Sequence, residues 1–163
     1  MDFELALAFV LDQEGYYSYR SDDPETNFGI TRQTARAYGY RGSMRNIRME
    51  LVRRIYRQGY WDRCRCEDLP YHPLRLVVFD AAVNSGPGQS LKWLQAELGI
   101  TVDGVIGPLT LAAVTALDAP ALERLALALI ERRLAFLRGL SKWRTFGRGW
   151  SNRIAALREV VTA

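Results

Sequence analysis

Apolar residues recur at helical spacing along most of this chain, and the spacing fails over one long stretch, from Tyr16 to Thr31. Phe3, Leu7, Val10 and Glu14 open the pattern. Their offsets return each side chain to within about 40° of one direction, at about 100° per residue. A helix over residues 2–14 follows, with Gly15 as a natural stop. Glu14 then sits at the helix end, on the face that turns inward. The broken stretch is built of turn formers: Ser18, Ser21, Asp22, Asp23, Pro24, Thr26, Asn27 and Gly29. Tyr17, Tyr19 and Phe28 between them suit short strands, so a small hairpin or irregular loop is expected here.

Helical spacing resumes over 32–38, stopped by Gly39, and over 47–58, with Asn46 a candidate cap. Residues 73–85 read as a buried helix, with Leu76, Phe79, Asp80, Val83 and Asn84 close to one face and Gly86-Pro87-Gly88 beyond it. Another helix covers 89–98, ended by Gly99. Asp103-Gly104 marks a tight turn, and Pro108 opens a helix to about residue 117. Asp118 caps a long helix over 119–140. Phe146, Trp150, Ile154, Leu157 and Val161 line a last one. The fold class is therefore mainly α: a helical bundle with one small β element near the N-terminus.

A chain of 163 residues is long enough for one compact unit, or one domain with a subdomain fused to it. We divide it at 69/70, with 70–163 a helical part packed on 1–69. The first 69 residues carry 11 basic and 11 acidic side chains, whereas residues 121–163 carry nine basic and three acidic. A cationic C-terminus fits either a solvated helix face or a polyanionic partner. The longest apolar run near the start, Leu5 to Leu11, is too short to span a bilayer. Asp2, Glu4 and Asp12 are unlike a basic leader segment, so synthesis in the cytoplasm without a signal peptide is expected. Cys64 and Cys66 are too close in sequence for good disulfide geometry. With His72 they do not make a zinc set, so two free thiols and no metal site are expected.

Glu14 is the first candidate for chemistry. Partial burial and the negative end of a helix dipole both favour its protonated form. A protonated carboxyl is what glycosidic cleavage requires, because the leaving oxygen must receive a proton. A second carboxylate usually stabilises the sugar cation or activates water. Asp22 and Asp23 lie in the following loop with Thr26 beside them, and spacing does not separate the two acids.

The runs Glu14-Gly15-Tyr16-Tyr17, Asp23-Pro24 and Thr26-Asn27-Phe28-Gly29-Ile30-Thr31 resemble the opening of glycoside hydrolase family 108. These are N-acetylmuramidases of phages and bacteria, the secretion-activating-protein type among them. Tyr60-Trp61-Asp62 is similar to the family's Tyr-Trp-Asp, and Phe79 to Gly86 is similar to the start of its C-terminal region. Leu94-Gln95-Ala96-Glu97-Leu98-Gly99, with Asp103-Gly104, Gly107 and Thr110, resembles a signature of wall-binding modules. The resemblance runs from about residue 3 to residue 140. It implies a lysozyme-like α+β fold, with 1–69 catalytic and 70–163 peptidoglycan-binding-like. It implies Glu14 as the acid; Asp23, or less readily Asp22, is the candidate second carboxylate, with Thr26 as its companion. Tyr17, Asp22, Asn27, Tyr60, Trp61 and Asn84 are the candidates for substrate contact, Asn84 being equally suited to capping its helix. The signature around Asp103-Gly104 reads as mainly structural.

Two departures stand out. Tyr16 replaces the second glycine of the family's Glu-Gly-Gly-Tyr, and the loop after Pro24 is about two residues shorter. The shorter loop places Asp23 at a spacing from Glu14 similar to that in the lysozymes of tailed phages. The implied function is hydrolysis of the β-1,4 bond between N-acetylmuramic acid and N-acetylglucosamine, as in a phage endolysin released by a holin-type route. No cofactor is implied. The expected partners are peptidoglycan strands and, through the basic C-terminus, an anionic wall or membrane surface; nucleic acid is not expected, and a monomer is. The altered loop motivates the alternative, a cell-wall-binding module that has lost catalysis.

Overall fold

The computed structural model describes residues 1–14, 18–20 and 23–163, with side chains described outside 15–24. Tyr16, Tyr17 and Asp22 lie outside the described residues, and for Asp23 only the backbone is described. Helix α1 spans Phe3–Glu14, and it buries Phe3, Ala6, Leu7 and Val10. Asp2 accepts the Leu5 amide at 3.0 Å and so closes the helix start.

Three short strands follow: β1 (Ser18–Arg20), β2 (Asp23–Asn27) and β3 (Ile30–Thr31). They form one antiparallel sheet in chain order. Ser18 pairs with Thr26 and Arg20 with Asp23 across an irregularity; Thr26 pairs with Thr31 and Asn27 with Ile30. The β2–β3 turn is Phe28-Gly29, with φ of 51° and 71°. Two central residues at positive φ are what a type I′ hairpin turn requires, because that backbone matches the strand twist. Thr31 ends the sheet and starts α2 (Arg32–Ala37), accepting the Thr34 amide at 3.1 Å.

Ser43 caps a 3-10 turn over Met44–Asn46, and helix α3 runs Met49–Tyr56. Asn46 therefore closes that turn and does not cap α3, whose first position follows Arg48 without a side-chain cap. The helix then widens into a π-turn over Arg57–Trp61. That insertion carries Trp61 into the core. Cys64 and Cys66 are buried free thiols, and burial pushes the Cys66 thiol up.

Helix α4 (His72–Ser85) is the axis of the molecule. It packs against α1, α5 (Pro87–Leu98), α7 (Ala119–Arg138) and α8 (Trp143–Thr162). Leu74, Leu76, Val77, Val78 and Phe79 are all buried. A helix enclosed on all sides shows no single apolar stripe, as α4's sequence does not. Its Phe79 ring meets Trp61, Phe3 and Tyr56 edge to face at 5.3, 6.1 and 6.3 Å. This aromatic cluster fixes α1 and α3 on α4. Helix α6 (Pro108–Thr115) and the long α7 follow, the latter capped by Asp118 onto the Ala121 amide at 2.9 Å. The architecture is mainly α and lysozyme-like, with its small sheet beside the end of α1.

The wall-module signature resolves into one hub. The Gln95 side chain is buried on α5. Its Nε2 donates to Asp103 Oδ1 (2.7 Å), the Val105 carbonyl (2.9 Å) and Thr110 Oγ1 (3.2 Å). Its Oε1 accepts the Asp103 and Gly104 amides at 3.0 and 2.8 Å. One glutamine thus locks the α5–α6 connection. These bonds, led by Gln95, hold the Asp103 carboxyl below the ordinary carboxylate range.

Candidate active site

The site is built where the end of α1 meets the β2–β3 turn. The Glu14 side chain is 19% exposed. Its Oε1 accepts Arg153 Nη1 at 2.6 Å. On the other side its carboxylate lies against Gly29: a Cβ there would stand 2.7 Å from Glu14 Oε2 and 2.8 Å from the Tyr56 hydroxyl. Gly29 is therefore demanded twice, by its positive φ and by this approach. Phe28, which is not a glycine, takes the same left-handed region. Tyr56 holds it there by donating to the Phe28 carbonyl at 2.7 Å. Burial, and then the nearby Glu14, push the Tyr56 phenol well up, so it stays a donor.

Behind Glu14 runs a buried line of charge. Arg153 on α8 also binds Asp80 through Nε at 2.8 Å. Asp80, fully buried on α4, receives Arg133 of α7 at 2.5 Å. Burial alone would raise the Asp80 carboxyl, but Arg133 and Arg153 overcome it and hold it below the carboxylate range. Burial works against the Arg153 charge, yet Asp80 and Glu14 raise its basicity overall. Arg133, more deeply buried, is pulled the other way by desolvation, which Asp80 offsets only in part. Two cations face two carboxyl groups, Asp80 and Glu14, and this pairing is what makes so many buried polar groups tolerable. Asp80 and Glu14 share Arg153 as two acceptors on one guanidinium. Arg133 keeps Nε and Nη2 without hydrogen-bond partners among the described residues.

The sequence-derived candidates separate into four groups. Tyr60 stands near enough to Glu14 to feel its charge, and Asn84 lies on α4 beyond Asp80. Tyr60 is half-buried, its ring 5.7 Å from Tyr56, and burial and Glu14 push its phenol up. The Oδ1 of Asn84, one turn beyond Asp80, is buried and without a hydrogen-bond partner among the described residues. Thr26 is half-buried in β2, and Asp23 is the first residue of that strand. Tyr17 and Asp22 fall outside the described residues.

Trp61 and Asn27 form the group the structure corrects. Trp61 is 0% exposed, boxed in by Phe79 and Phe3, with Nε1 donating to Glu67 at 3.1 Å. It has no face to offer a sugar. Asn27 is buried and spends its amide on the Met44 carbonyl at 2.9 Å, tying the hairpin to the 3-10 turn. Both residues support the site from behind. Arg153, Arg133, Tyr56 and Gly29 are the residues the sequence reading missed. A signal existed for Arg153: it follows Trp150 by three and precedes Ile154 and Leu157, on the edge of the last apolar stripe. A carboxylate at Asp80, amid a buried helix, required a cation from somewhere.

Comparisons with known proteins agree with this geometry. The family model of glycosyl hydrolase 108 matches residues 7–86, and that of a predicted peptidoglycan domain matches residues 89–155. The two matches meet after α4, whereas charge and pattern divide the chain at 69/70. The solved structure of Brucella abortus SagA is 36% identical, with a TM-score of 0.86, over 98% of this chain and 93% of that one. No curated protein matches. A matching structure of that identity and coverage, and a carboxylate braced at the end of α1, lead to one assignment: the chain belongs to the glycosyl hydrolase 108 family and is a glycoside hydrolase of the lysozyme type, with peptidoglycan as its partner.

Proposed function

We propose that the chain is an N-acetylmuramidase that cuts the β-1,4 bond between N-acetylmuramic acid and N-acetylglucosamine, with Glu14 as general acid. The observation that carries this reading is the placement of Glu14. Its carboxyl is held between Gly29 and Arg153, at the end of a helix, with one side open to solvent. Glu14 delivers a proton to the leaving oxygen as the sugar–oxygen bond breaks. The carboxylate it leaves behind is the species that Arg153 binds best, so the ion pair strengthens as the proton departs. The developing sugar cation calls for a second carboxylate, and Asp23, or else Asp22, with Thr26 beside it, supplies it from the hairpin. Tyr60 is the proposed sugar contact; the Asn84 Oδ1 is buried and without a partner among the described residues, so it meets an N-acetyl N–H only where its side chain turns outward.

The setting we propose is bacteriolysis, as in the phage endolysins whose motifs the chain shares. The test is turbidity loss of purified peptidoglycan with reducing-end analysis, wild type against Glu14→Gln. Wild type is expected to clear the suspension and release muramic acid reducing ends. The variant is expected to lose about 10²–10⁴-fold in rate, the usual worth of a general acid. Equal clearing by both proteins would remove Glu14 from the chemistry. Binding without clearing by either would make the chain a wall-binding module.

A further inference from the structure

A run of half-buried phenols leads away from Glu14. Tyr60 feels Glu14, and it feels Tyr38 next. Tyr38 and Tyr60 line one depression, of about 370 Å³, together with Thr34, Gly59, Arg63 and Pro87. Tyr38 also lines a second depression, of about 400 Å³, with Tyr40, Arg48, Glu50, Leu51 and Arg54. Tyr38 is the residue common to both. The second is braced: Arg54 donates to the Tyr38 carbonyl at 3.0 Å and the Tyr40 hydroxyl to the Ser43 carbonyl at 2.7 Å.

The charge here is lopsided. Residues 32–57 hold eight arginines and one acid, Glu50. The neutral total of the first 69 residues conceals this, because the balancing acids lie mostly before residue 26. Arg32, Arg53 and Arg57 are spent on Glu25, Glu4 and Asp62. Arg48 and Arg54 stay exposed at the second depression, in no ion pair among the described residues.

We infer that this second depression is an accessory subsite for a carboxylate-bearing stretch of the substrate, namely a glycan unit that still carries its peptide stem. Tyr38, Tyr40 and Leu51 offer apolar faces for a sugar ring or a stem side chain. Arg48 and Arg54 offer planar forks for a stem carboxylate, which guanidinium binds in two-point fashion. A strand whose stem carboxylates are blocked as amides would fill the apolar part and leave both cations without those anions. The subsite therefore favours strands with free stem carboxylates over strands whose carboxylates are amidated. The inference takes its ligand from the muramidase reading, but binding can be measured without cleavage.

The test uses the full chain carrying Glu14→Gln, so that nothing is cut. Its co-sedimentation is measured with phosphate-free peptidoglycan and with the same insoluble material after its stem carboxylates have been converted to amides. Arg48→Glu is compared with Arg48→Lys and with Arg144→Glu, an equal charge change on exposed α8 surface. The ratio of affinities, untreated over amidated, is expected to fall about tenfold in Arg48→Glu, the scale of one charge-assisted contact. It is expected to fall by less in Arg48→Lys, which keeps the charge and loses the fork, and to be unchanged in Arg144→Glu. An unchanged ratio in Arg48→Glu overturns the inference, as does an equal fall in Arg144→Glu. A fall seen only with crude, phosphate-bearing walls overturns it too, by assigning the arginines to phosphate polymers. A failure of the muramidase reading looks different: the parent chain then cuts neither material, whatever Arg48 does to binding.

Discussion

Two turns in this molecule are built alike and used differently. At the β2–β3 turn, Gly29 takes positive φ so that the backbone can approach the Glu14 carboxylate and the Tyr56 hydroxyl. At the α5–α6 connection, Gly104 takes positive φ so that the backbone can approach the Gly88 carbonyl, where a Cβ would stand 3.0 Å away. The second turn is locked by a neutral side chain, Gln95, which fills its hydrogen-bonding capacity with protein partners. The first is backed by charge, and some of its polar atoms are unanswered: Arg133 Nε and Nη2 and the Asn84 oxygen. A closed network centred on a neutral side chain has no capacity left for a ligand. An open charged one does, and it is costly enough in stability to suggest that chemistry maintains it.

The largest test of that contrast is Asp80→Asn. It leaves Arg133 and Arg153 buried without their shared carboxylate, and removing one partner of a buried ion pair costs about 3–5 kcal/mol. Thermal unfolding is expected to show a large fall in Tm. The pH dependence has a definite sign. The folded Asp80 carboxyl lies below its ordinary value, so its contribution is present above about pH 4 and fades as pH falls further. The gap between wild type and Asp80→Asn should therefore be constant near neutrality and narrow in acid. A gap that widened in acid would mean that Asp80 is not held as an anion.

Gln95→Ala should come next. It strands the buried Thr110 hydroxyl and the part-buried Asp103 and Gly104 amides, at up to about 1–3 kcal/mol for a buried polar group left without a partner. Activity per folded molecule should not change, because this network stops short of Glu14. A change in rate per folded molecule would erase the distinction between the two turns.

How much of this was legible beforehand follows the same line. The motif around Gln95 reads correctly as architecture because all its parts, Gln95, Asp103-Gly104 and Thr110, lie within 16 residues. Glu14 at the end of a helix, the hairpin after it, the buried α4 and the Asp118 cap are legible for the same reason: each rests on local spacing. Trp61 and Asn27 were misread as sugar contacts. A π-turn after α3 carries Trp61 inward, and no periodicity rule predicts an inserted residue in a helix. The Arg153–Glu14 contact joins residues 139 positions apart, and nothing local announces it. Sequence spacing found the acid, but its cation had to be found by folding.

Gly29→Ala against Gly104→Ala sharpens the comparison further. Both force a side chain into the left-handed region, at about 1–3 kcal/mol of strain. Both should lower Tm by similar amounts. They should part in kinetics. A methyl at Gly29 displaces the Glu14 carboxylate, and a misplacement of about 1 Å is worth about 10²-fold in rate. A methyl at Gly104 meets only backbone and Lys92 and should leave the rate per folded molecule as it was. Equal rates in the two variants would mean that Glu14 tolerates displacement and is not the acid.

The smallest effect, and the most local, belongs to Tyr56→Phe. The hydroxyl donates to the Phe28 carbonyl and fixes the one non-glycine residue that the hairpin turn places at positive φ. Its loss removes one hydrogen bond, about 1 kcal/mol, and leaves the ring in its aromatic cluster with Phe79. Global stability should barely move. The turn itself should loosen, because Phe28 at φ 51° is then held by the hairpin alone. Amide exchange is the right reading, since it reports local opening that a melting curve averages away. Faster exchange confined to residues 26–31, with a modest loss of rate, would show that Tyr56 acts on the acid through the turn. Unchanged exchange there, with the rate still reduced, would instead place the Tyr56 hydroxyl in direct partnership with Glu14, whose carboxylate lies against the same glycine.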